Sequence, residues 1–407
     1  MQSKAAISAQ AAAELLGVKL QTLYAYASRG LLRRVGSGKR RQYLVEDLER
    51  LQTRQRARSG HGPVAAAALS FGEPVLDTRI TGIDERGPRY RGMPAVELAA
   101  HGVRFEAVAE LLWSGELPVE PAQADLRPRV TSWATLEPLR VQGPACASLE
   151  DLLLALPALV HALPERHSRA RDTELLVARR LIRSVAELLL PSGARRRADG
   201  IAELLTPLTR APQKAAAAAL DLALVLLADH ELNASSFAAR IAASTDAPLF
   251  ACIIAALSTL SGPRHGGACD RVEALLDEAA TLRKPSDVVE RRSKRGDALP
   301  GFGHPLYPDG DPRAQPLLER ARMLASRSKS LQKALAPAFA LSRLMQRQGL
   351  PPTVDFGLVA LTRALGMQPG SAALLFALGR SAGWVAHVLE QRGSEAVLRP
   401  RARYLGA

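Results

Sequence analysis

The spacing of apolar residues predicts two short helices near the start of the chain. Over Ala9–Leu16 apolar side chains recur at intervals of three and four; Ser8 stands at the N-cap position and Gly17 follows the last turn. A second helix is predicted over Leu20–Ser28.

A small hairpin and a third helix are predicted after these two. The glycine-rich turn Gly36-Ser37-Gly38-Lys39 is flanked by residues that suit two short strands, and residues 43–51 have the pattern of an amphipathic helix. Two helices around a glycine turn, followed by a basic hairpin, are typical of a winged helix-turn-helix. We therefore predict a winged helix-turn-helix domain over residues 1–54.

The rest of the chain has the pattern of a mostly α-helical body. Residues 55–69 lose periodicity and contain Gly60, Gly62 and Pro63, which predicts a linker. Beyond it, helix-like spacing is broken only by Pro and Gly, except for residues 75–83, where β-branched residues and a glycine predict a small hairpin. No segment reaches the roughly 20 apolar residues of a membrane span, and the apolar stretches 215–228 and 247–260 read as buried helices. We expect a cytoplasmic protein with no membrane partner.

Charge separates the first part of the chain from the rest. The net charge is +14, and residues 1–60 carry 12 Lys and Arg against 4 Asp and Glu. This asymmetry predicts a module that binds a polyanion. Aromatic residues make up only 4%, which disfavours RNA binding by base stacking. Three cysteines are too few for a disulfide framework or a four-cysteine zinc site.

The first 54 residues resemble the MerR-like or excisionase-like DNA-binding domains, notably in SAQAAAELLGVKLQTLYAYASRGLL and RRQYLVEDLERL. The resemblance implies that the second helix faces a groove of double-stranded DNA and that the hairpin follows the phosphates. The candidate DNA-binding residues are Gln21, Thr22, Tyr24, Arg33, Arg34, Lys39, Arg40 and Arg41. A solvated helical module used for dimer contacts or regulation is the alternative.

Three polar clusters interrupt the helical body. His265 lies in SGPRHGGACD, where glycines and a proline break a helix, and His304 lies in PGFGHPLYPDGDPRA, beside glycines on a predicted loop. Asp355 lies in PPTVDFGLVAL, where an acidic residue enters an apolar helix after two prolines. Taken singly, a loop histidine is usually a surface residue and an Asp at a helix start is usually an N-cap.

Taken together, these clusters belong to a set of ordered motifs that resembles the citrate synthase family. The matching segments are VLDTRITGIDERGPRYRG, FEAVAELLWSGELP, DHELNASSFAAR, SGPRHGGA, GFGHPLYPDGDPRA, VDF, FALGRSAGWVAHVLEQ and LRPRARYLG. The resemblance implies a mostly α-helical, dimeric fold that condenses an acyl-CoA with a 2-oxo acid. It implies a large domain over residues 70–267 and 367–407 and a small domain over residues 268–366.

The resemblance also implies roles for individual residues. Asp355 is the expected base, His265 the donor to the thioester carbonyl, and His304 the donor to the keto oxygen of oxaloacetate. The expected substrate-binding residues are His230, Arg313, Arg380 and Arg399, with Arg399 reaching into the partner subunit's site. Acetyl-CoA or propionyl-CoA is the expected acyl donor, and the family needs no metal or other cofactor.

Some positions depart from the family pattern. Residues 305–310, where basic residues usually meet the phosphates of CoA, read PLYPDG, although Lys294 and Arg295 lie just upstream. Gly357 and Leu358 replace the polar pair that usually follows VDF, and residues 153–200 are rich in arginine and have no assigned role. Cys269, one helical turn beyond His265, reads as a small buried packing residue rather than a nucleophile. A transcriptional regulator with a synthase-like sensor body is the alternative to an enzyme.

Overall fold

The computed structural model describes residues 6–16, 20–28, 32, 34–35, 42–44, 48, 76–118, 146–161, 165, 167–191, 198–282, 284–394 and 396–400. The chain divides into two compact units. One comprises residues 1–77 with 399–407, and the other comprises residues 78–398. The predicted linker, 55–69, lies outside the described residues.

In its described part, the first unit contains the helices α1 and α2 and a three-stranded antiparallel sheet. Its elements are β1 (Ala6–Ser8), α1 (Ala9–Leu16), α2 (Leu20–Ser28), β2 (Arg34–Val35) and β3 (Gln42–Leu44), with sheet order β1-β3-β2. Ser8 caps α1 as predicted, because its Oγ accepts the backbone N–H of Ala11 at 3.2 Å. A small apolar core built around the buried Leu23, Leu32 and Leu48 holds the elements together.

The third helix is predicted to begin at residue 43, but the structure has a strand at that position. Tyr43 lies in β3, opposite Ile7 on one side and Arg34 on the other, and its side chain is buried. A stretch of alternating polar and apolar residues suits a strand as well as one helical turn, and pairing with β1, a strand the periodicity does not predict, decides between them. Leu48 is helical. The rest of the predicted helix and the turn 36–39 lie outside the described residues.

The second unit opens on a small sheet that lies later in the chain than predicted. Its strands are β4 (Thr81–Asp84), β5 (Gly87–Tyr90) and β6 (Met93–Pro94), in that order and antiparallel. Gly87, at φ +97°, closes the first turn and so places the hairpin at residues 81–90 rather than 75–83. Residue 75 lies outside the described part.

The described residues beyond this sheet are mostly helical, as the apolar spacing predicts. The helices are α3 (Ala95–Ala100), α4 (Phe105–Ser114), α5 (Leu149–His161), α6 (Arg171–Leu188), α7 (Ile201–Leu204), α8 (Gln213–Leu227), α9 (Ala234–Ser244), α10 (Leu249–Leu260), α11 (Ala268–Thr281), α12 (Pro285–Arg295), α13 (Ala314–Ala325), α14 (Lys329–Arg347), α15 (Val354–Leu365) and α16 (Ser371–Arg392). The predicted division of this body into a large and a small domain remains a prediction.

Helix α16 forms the centre of the core and packs against α4, α6, α8, α9, α10, α11 and α15. It is the one described helix that is long and apolar enough to cross a membrane, and its apolar window is 100% buried inside the protein. A helix buried on all sides is apolar on all sides, which accounts for its composition. The two shorter apolar helices, α8 and α10, are also mainly buried, as predicted.

Helix α15, which carries Asp355, lies among α11, α13 and α14 and packs most closely on α13. Gly357 permits this approach, since a Cβ at this position would stand 2.9 Å from the carbonyl oxygen of Ala314. The departure of Gly357 from the family pattern therefore has a packing reason.

Much of the arginine in residues 153–200 serves ion pairs. Arg179 binds both carboxylate oxygens of Glu110 at 2.6 and 2.9 Å, and Arg180 pairs with Glu165 at 3.2 Å. Arg183, nearly buried, pairs with Glu187 one turn further along α6. The first two contacts fix α6 to its neighbours and the third lies within the helix, which gives these arginines a structural role.

Candidate active site

A glycine-lined loop between α10 and α11 presents His265. The backbone N–H of His265 donates to Gly262 and that of Gly266 to Leu260. A Cβ on Gly266 would lie 2.7 Å from the Leu260 carbonyl oxygen, and one on Gly267 would lie 2.9 Å from the Cα of Pro263. The turn therefore requires both glycines, and the predicted helix break at the imidazole is confirmed.

The ring of His265 is held by a hydrogen-bond network that sets its tautomer. Its Nε2 lies 2.8 Å from Ser235 Oγ, which also accepts the indole N–H of Trp384 at 3.1 Å. The single Ser235 proton has two candidate acceptors, His265 Nε2 and Asn233 Oδ1 at 2.7 Å. Because Asn233 Oδ1 already accepts the backbone N–H groups of Ser235 and Ser236, we assign the proton to His265 Nε2. The neutral ring then carries its own proton on Nδ1.

His265 is neutral near pH 7. Burial, reinforced by the positive charge of Arg380, lowers the pKa of His265 to about 4. A neutral imidazole with its proton on Nδ1 can donate a hydrogen bond to a substrate oxygen without giving up that proton.

A second loop, between α12 and α13, presents His304. Gly301 and Gly303 adopt positive φ angles of +86° and +70°, and a Cβ on Gly301 would lie 2.7 Å from Val272. The Nδ1 atom of His304 accepts the backbone N–H of Leu306 at 3.2 Å, so the proton of the neutral ring is on Nε2. Burial lowers the pKa of His304, which keeps this second imidazole neutral and a donor.

Asp355 lies in the first turn of α15 and does not cap it. Thr353 occupies the N-cap position, and the Asp355 carboxylate accepts the Thr353 hydroxyl at 3.2 Å and the Cys269 thiol at 3.6 Å. Burial raises the pKa of Asp355; Asp311 also acts to raise it, whereas Arg313 opposes the shift. A carboxylate with a raised pKa is a stronger base than one in water.

Two buried guanidinium groups give the site positive charge. Arg380, on α16, donates its Nε–H to the Leu227 carbonyl oxygen, and its guanidinium carbon lies 4.8 Å from the centre of the Phe376 ring. Burial lowers the pKa of Arg380 to about 10, which leaves it charged near neutral pH. The edge of the same phenyl ring meets His265, with ring centres 6.2 Å apart. Arg380 and His265 therefore lie on one wall of the site.

Arg313 is held more tightly than the sequence indicates. Its Nε and Nη2 donate to the two carboxylate oxygens of Asp311, both at 2.9 Å, and the two side chains are 2% and 0% exposed. Asp311 Oδ2 also accepts the backbone N–H of Val354, the first residue of α15, at 3.0 Å. Asp311 thus connects the substrate arginine to the helix that carries the base.

His230 completes the group. Its Nε2 lies 2.8 Å from the Tyr307 hydroxyl, and its ring centre lies 5.7 Å from that of His304. Burial, followed by the charges of Arg313 and Arg380, lowers the pKa of His230 well below its ordinary value. Tyr307 comes from the loop 305–310, so this loop turns one side chain into the site while Pro305, Leu306, Pro308 and Asp309 stay exposed.

Six of the seven predicted active-site residues therefore surround one place in the second unit: His230, His265, His304, Arg313, Asp355 and Arg380. The seventh, Arg399, is exposed and belongs to the first compact unit. Lys294 and Arg295 are paired with Glu290 and Asp297, in exposed contacts of little net strength. Within the described residues no group of three or more His, Cys, Asp or Glu is arranged to hold a metal ion.

The sequence interpretation missed the residues that hold this group in place. They are Asn233, Ser235, Thr353, Tyr307, Asp311 and Trp384, together with Cys269, which is buried as predicted but contacts Asp355 rather than His265. The spacing Asp-x-Arg in DPRA was a usable signal for one of them, since a side chain two residues away can accept from both the backbone and the guanidinium.

A buried contact between a histidine and an aspartate lies next to the site in the chain. His387 Nε2 lies 3.4 Å from Asp229 Oδ1, and both side chains are fully buried. Burial alone would raise the pKa of Asp229, but His387 holds it below its ordinary value. Asp229 precedes His230 in the chain, so this pair fixes the backbone from which that ring projects.

The candidate DNA-binding residues lie only partly within the described chain. Gln21 and Tyr24 are exposed on α2, Thr22 is half-buried there, and Arg34 lies in β2. Arg33, Lys39, Arg40 and Arg41 lie outside the described residues.

A helical body that gathers two neutral imidazole donors, a carboxylate base and two buried guanidinium groups defines a site for enolising chemistry on an anionic substrate. Comparison with known proteins agrees with this class. Residues 70–401 match the family model "Citrate synthase, C-terminal domain", and residues 7–56 match a helix-turn-helix domain. The chain belongs to the citrate synthase family.

Individual relatives extend over most of the chain. It is 31% identical to citrate synthase of Haloferax volcanii over 76% of this chain and 88% of that protein, and 29% identical to 2-methylcitrate synthase of Shewanella oneidensis over 83% and 93%. Among solved structures, citrate synthase from Thermoplasma acidophilum, in a ternary complex with carboxymethyl coenzyme A and oxaloacetate, matches with a TM-score of 0.70. That match has 26% identity and covers 83% of this chain and 95% of that one.

Proposed function

We propose that this protein condenses acetyl-CoA or propionyl-CoA with oxaloacetate and water, giving citrate or 2-methylcitrate and free CoA. The observation that carries the proposal is that two imidazoles whose pKa values are lowered by burial share one site with a buried carboxylate whose pKa is raised. The reaction needs two donors and one base at these positions.

The proposed steps use three side chains of this site and one water molecule. Asp355 removes a proton from the carbon next to the thioester carbonyl, while His265 Nδ1–H stabilises the developing enolate oxygen. The new carbanion attacks the keto carbon of oxaloacetate, and His304 Nε2–H supplies the proton to its oxygen. Water then attacks the thioester carbonyl and supplies the proton for the departing CoA sulfur. The proton taken by Asp355 replaces the one that His304 gave up, so both groups return to their starting state. No metal or other cofactor takes part in these steps.

The charge of the site favours a dicarboxylic oxo acid. Arg380 offers guanidinium N–H groups beyond the one bonded to Leu227, and Arg313 offers its Nη1 beyond the pair with Asp311. Planar guanidinium groups bind carboxylates in paired fashion. We propose that Arg399 adds a third cation to the partner subunit's site, so that the active form is a homodimer. We also propose that the protein acts in the cytoplasm.

Release of free thiol tests the enzyme. Mixing the protein with oxaloacetate and either acetyl-CoA or propionyl-CoA should release CoA, and omission of oxaloacetate should abolish that release. A comparison of turnover with the two thioesters at equal concentration identifies the preferred acyl chain. Absence of thiol release with both thioesters would contradict the proposed activity. The alternative, a regulator whose synthase-like body binds these ligands as a sensor, would then explain why the site residues are present.

The helix-turn-helix domain supports an additional function, binding of double-stranded DNA. The first 60 residues hold a net charge of +8 from 12 basic and 4 acidic residues, and α2 exposes Gln21 and Tyr24. Basic side chains that neutralise phosphates make the affinity for DNA fall steeply with salt. We propose that α2 faces a groove and that Arg33, Arg34, Lys39, Arg40 and Arg41 follow the phosphates.

Mobility shift of DNA from the protein's own promoter tests this second function. Affinity should fall steeply between low and physiological salt, and Arg40→Gln with Arg41→Gln should weaken binding and reduce the slope of log K against log salt by about 2. The control is Lys329→Gln with Lys333→Gln, which removes the same charge from an exposed helix face of the second unit. It should change neither the affinity for DNA nor the salt slope. Failure to shift this or random duplex DNA at low salt would rule out DNA binding.

A further inference from the structure

Both carboxylate oxygens of Asp355 are held by donors that carry no charge. The Cys269 sulfur lies 3.6 Å from Oδ1, and the Thr353 hydroxyl oxygen lies 3.2 Å from Oδ2. The two donors approach from different parts of the fold, since Cys269 lies in the first turn of α11 and Thr353 precedes α15. The carboxylate is therefore fixed at both ends.

The thiol of Cys269 remains protonated in this position. The side chain is 0% exposed, and burial, reinforced by the negative charge of Asp355, raises the pKa of Cys269 well above its ordinary value. A protonated thiol is a donor, although a weak one compared with a hydroxyl or an amide. Its only partner within hydrogen-bond distance among the described residues is Asp355.

Several charged groups also act on Asp355. Arg313, from the loop before α13, and Arg380, on α16, are positive, whereas Asp311 is negative and His304 is neutral. Among the described residues the side-chain hydrogen bonds to the carboxylate come from these two neutral donors, and the backbone N–H of Asp355 itself adds a third neutral donor. A general base needs to be ionised and yet to keep a high affinity for the proton that it takes. A charged donor, or several strong ones, would favour the ionised form and weaken the base.

We propose that Cys269 and Thr353 are positioning residues for the base: they orient the carboxylate through two neutral hydrogen bonds, and the weakness of the thiol donor preserves the basicity of Asp355. The proposal rests on the proposed condensing function. It accounts for a fully buried thiol that points at a carboxylate, an arrangement that costs desolvation and that packing alone does not require.

The acid limb of the pH profile of kcat/KM tests the role of the thiol. Cys269→Ser replaces a weak donor with a strong one, so the limb should move to lower pH and kcat should fall several-fold. Cys269→Ala removes the donor, so the limb should move to higher pH, with each shift about 0.5 to 1 pH unit. Thr353→Val should move it upward in the same way as Cys269→Ala.

Cys252→Ser is the matched control. This cysteine is equally buried, and its thiol donates to a backbone carbonyl, that of Ala247, at 3.5 Å. The same change of sulfur to oxygen should leave the acid limb unmoved. If Cys269→Ser and Cys269→Ala shift the limb in the same direction, or if neither shifts it in an active enzyme, Cys269 only fills space and the proposal is wrong.

An infrared measurement tests the hydrogen bond without turnover. The S–H stretching band that disappears in Cys269→Ala should lie at lower frequency in the wild type than in Asp355→Ala, because a donated hydrogen bond weakens the S–H bond. An unchanged band would contradict the proposal. If the wild type releases no thiol, the proposed function fails, and this band still decides whether the thiol is bonded to the carboxylate.

Discussion

Asp355→Asn should lower kcat for thioester condensation by about 10²- to 10⁴-fold, the range that a positioned general base contributes. The amide keeps the size of the side chain, and its single oxygen can still accept one of the two hydrogen bonds, from Thr353 or from Cys269, but it cannot take a proton. The measurement is release of free thiol at saturating oxaloacetate, with acetyl-CoA and propionyl-CoA in turn. The KM for oxaloacetate should change little, because that substrate is bound by the arginines.

Asp309→Asn is the control for this variant. Asp309 is exposed in the loop after His304, so the same chemical change should leave kcat within about twofold, as for most surface substitutions. Near-normal turnover in a correctly folded Asp355→Asn protein would show that another group takes the proton.

The local elements could be predicted from sequence where short-range signals agree. The bounds of α1 and α2 match the prediction, because apolar spacing, a capping serine and a glycine all indicate the same residues. At Tyr43 the local pattern suits both a helix and a strand, and pairing with residues about 35 positions earlier decides the outcome. The residues around Tyr43 do not by themselves indicate that this segment pairs with β1.

In the candidate active site, too, the sequence indicates the residues that carry local signals and not the contacts between distant segments. His265 and His304 lie in glycine-rich breaks that stand out in the sequence, and the resemblance to a family supplies their roles. Ser235 and Trp384, which set the tautomer of His265, are 149 residues apart, and Cys269 is 86 residues from the carboxylate that it contacts. Such contacts depend on how α9, α11, α15 and α16 pack, and no spacing rule within one segment indicates them.

The ion pair of Asp311 and Arg313 contributes both to the stability of the fold and to the arrangement of the active site. Arg313 binds Asp311 through two hydrogen bonds in the interior, so its charge is compensated without a substrate. Asp311 also holds the first residue of α15. Removal of this carboxylate affects the arginine, the helix and the base together.

Asp311→Asn should reduce the free energy of unfolding by about 3–5 kcal/mol near pH 7, because it leaves the Arg313 guanidinium buried with no compensating charge. Burial alone would raise the pKa of Asp311, but Arg313 holds it below its ordinary value of 3.8. The contribution of the pair is therefore present above pH 3.8 and is lost as pH falls below it. Urea-induced unfolding at pH 7 and again near pH 3 should show the gap between variant and wild type shrinking at the lower pH.

A second substitution separates the stability of the pair from its role in substrate binding. Asp311→Asn combined with Arg313→Met removes both charges, and the amide oxygen can still accept the backbone N–H of Val354, so much of the lost stability should return. Turnover should not return, because the carboxylate of the oxo acid has lost a cation, and the KM for oxaloacetate should rise by about tenfold or more. If the double variant were as unstable as Asp311→Asn, the cost would come from the helix start rather than from the unpaired guanidinium. Recovery of normal KM in the double variant would show instead that Arg313 serves the fold and not the substrate.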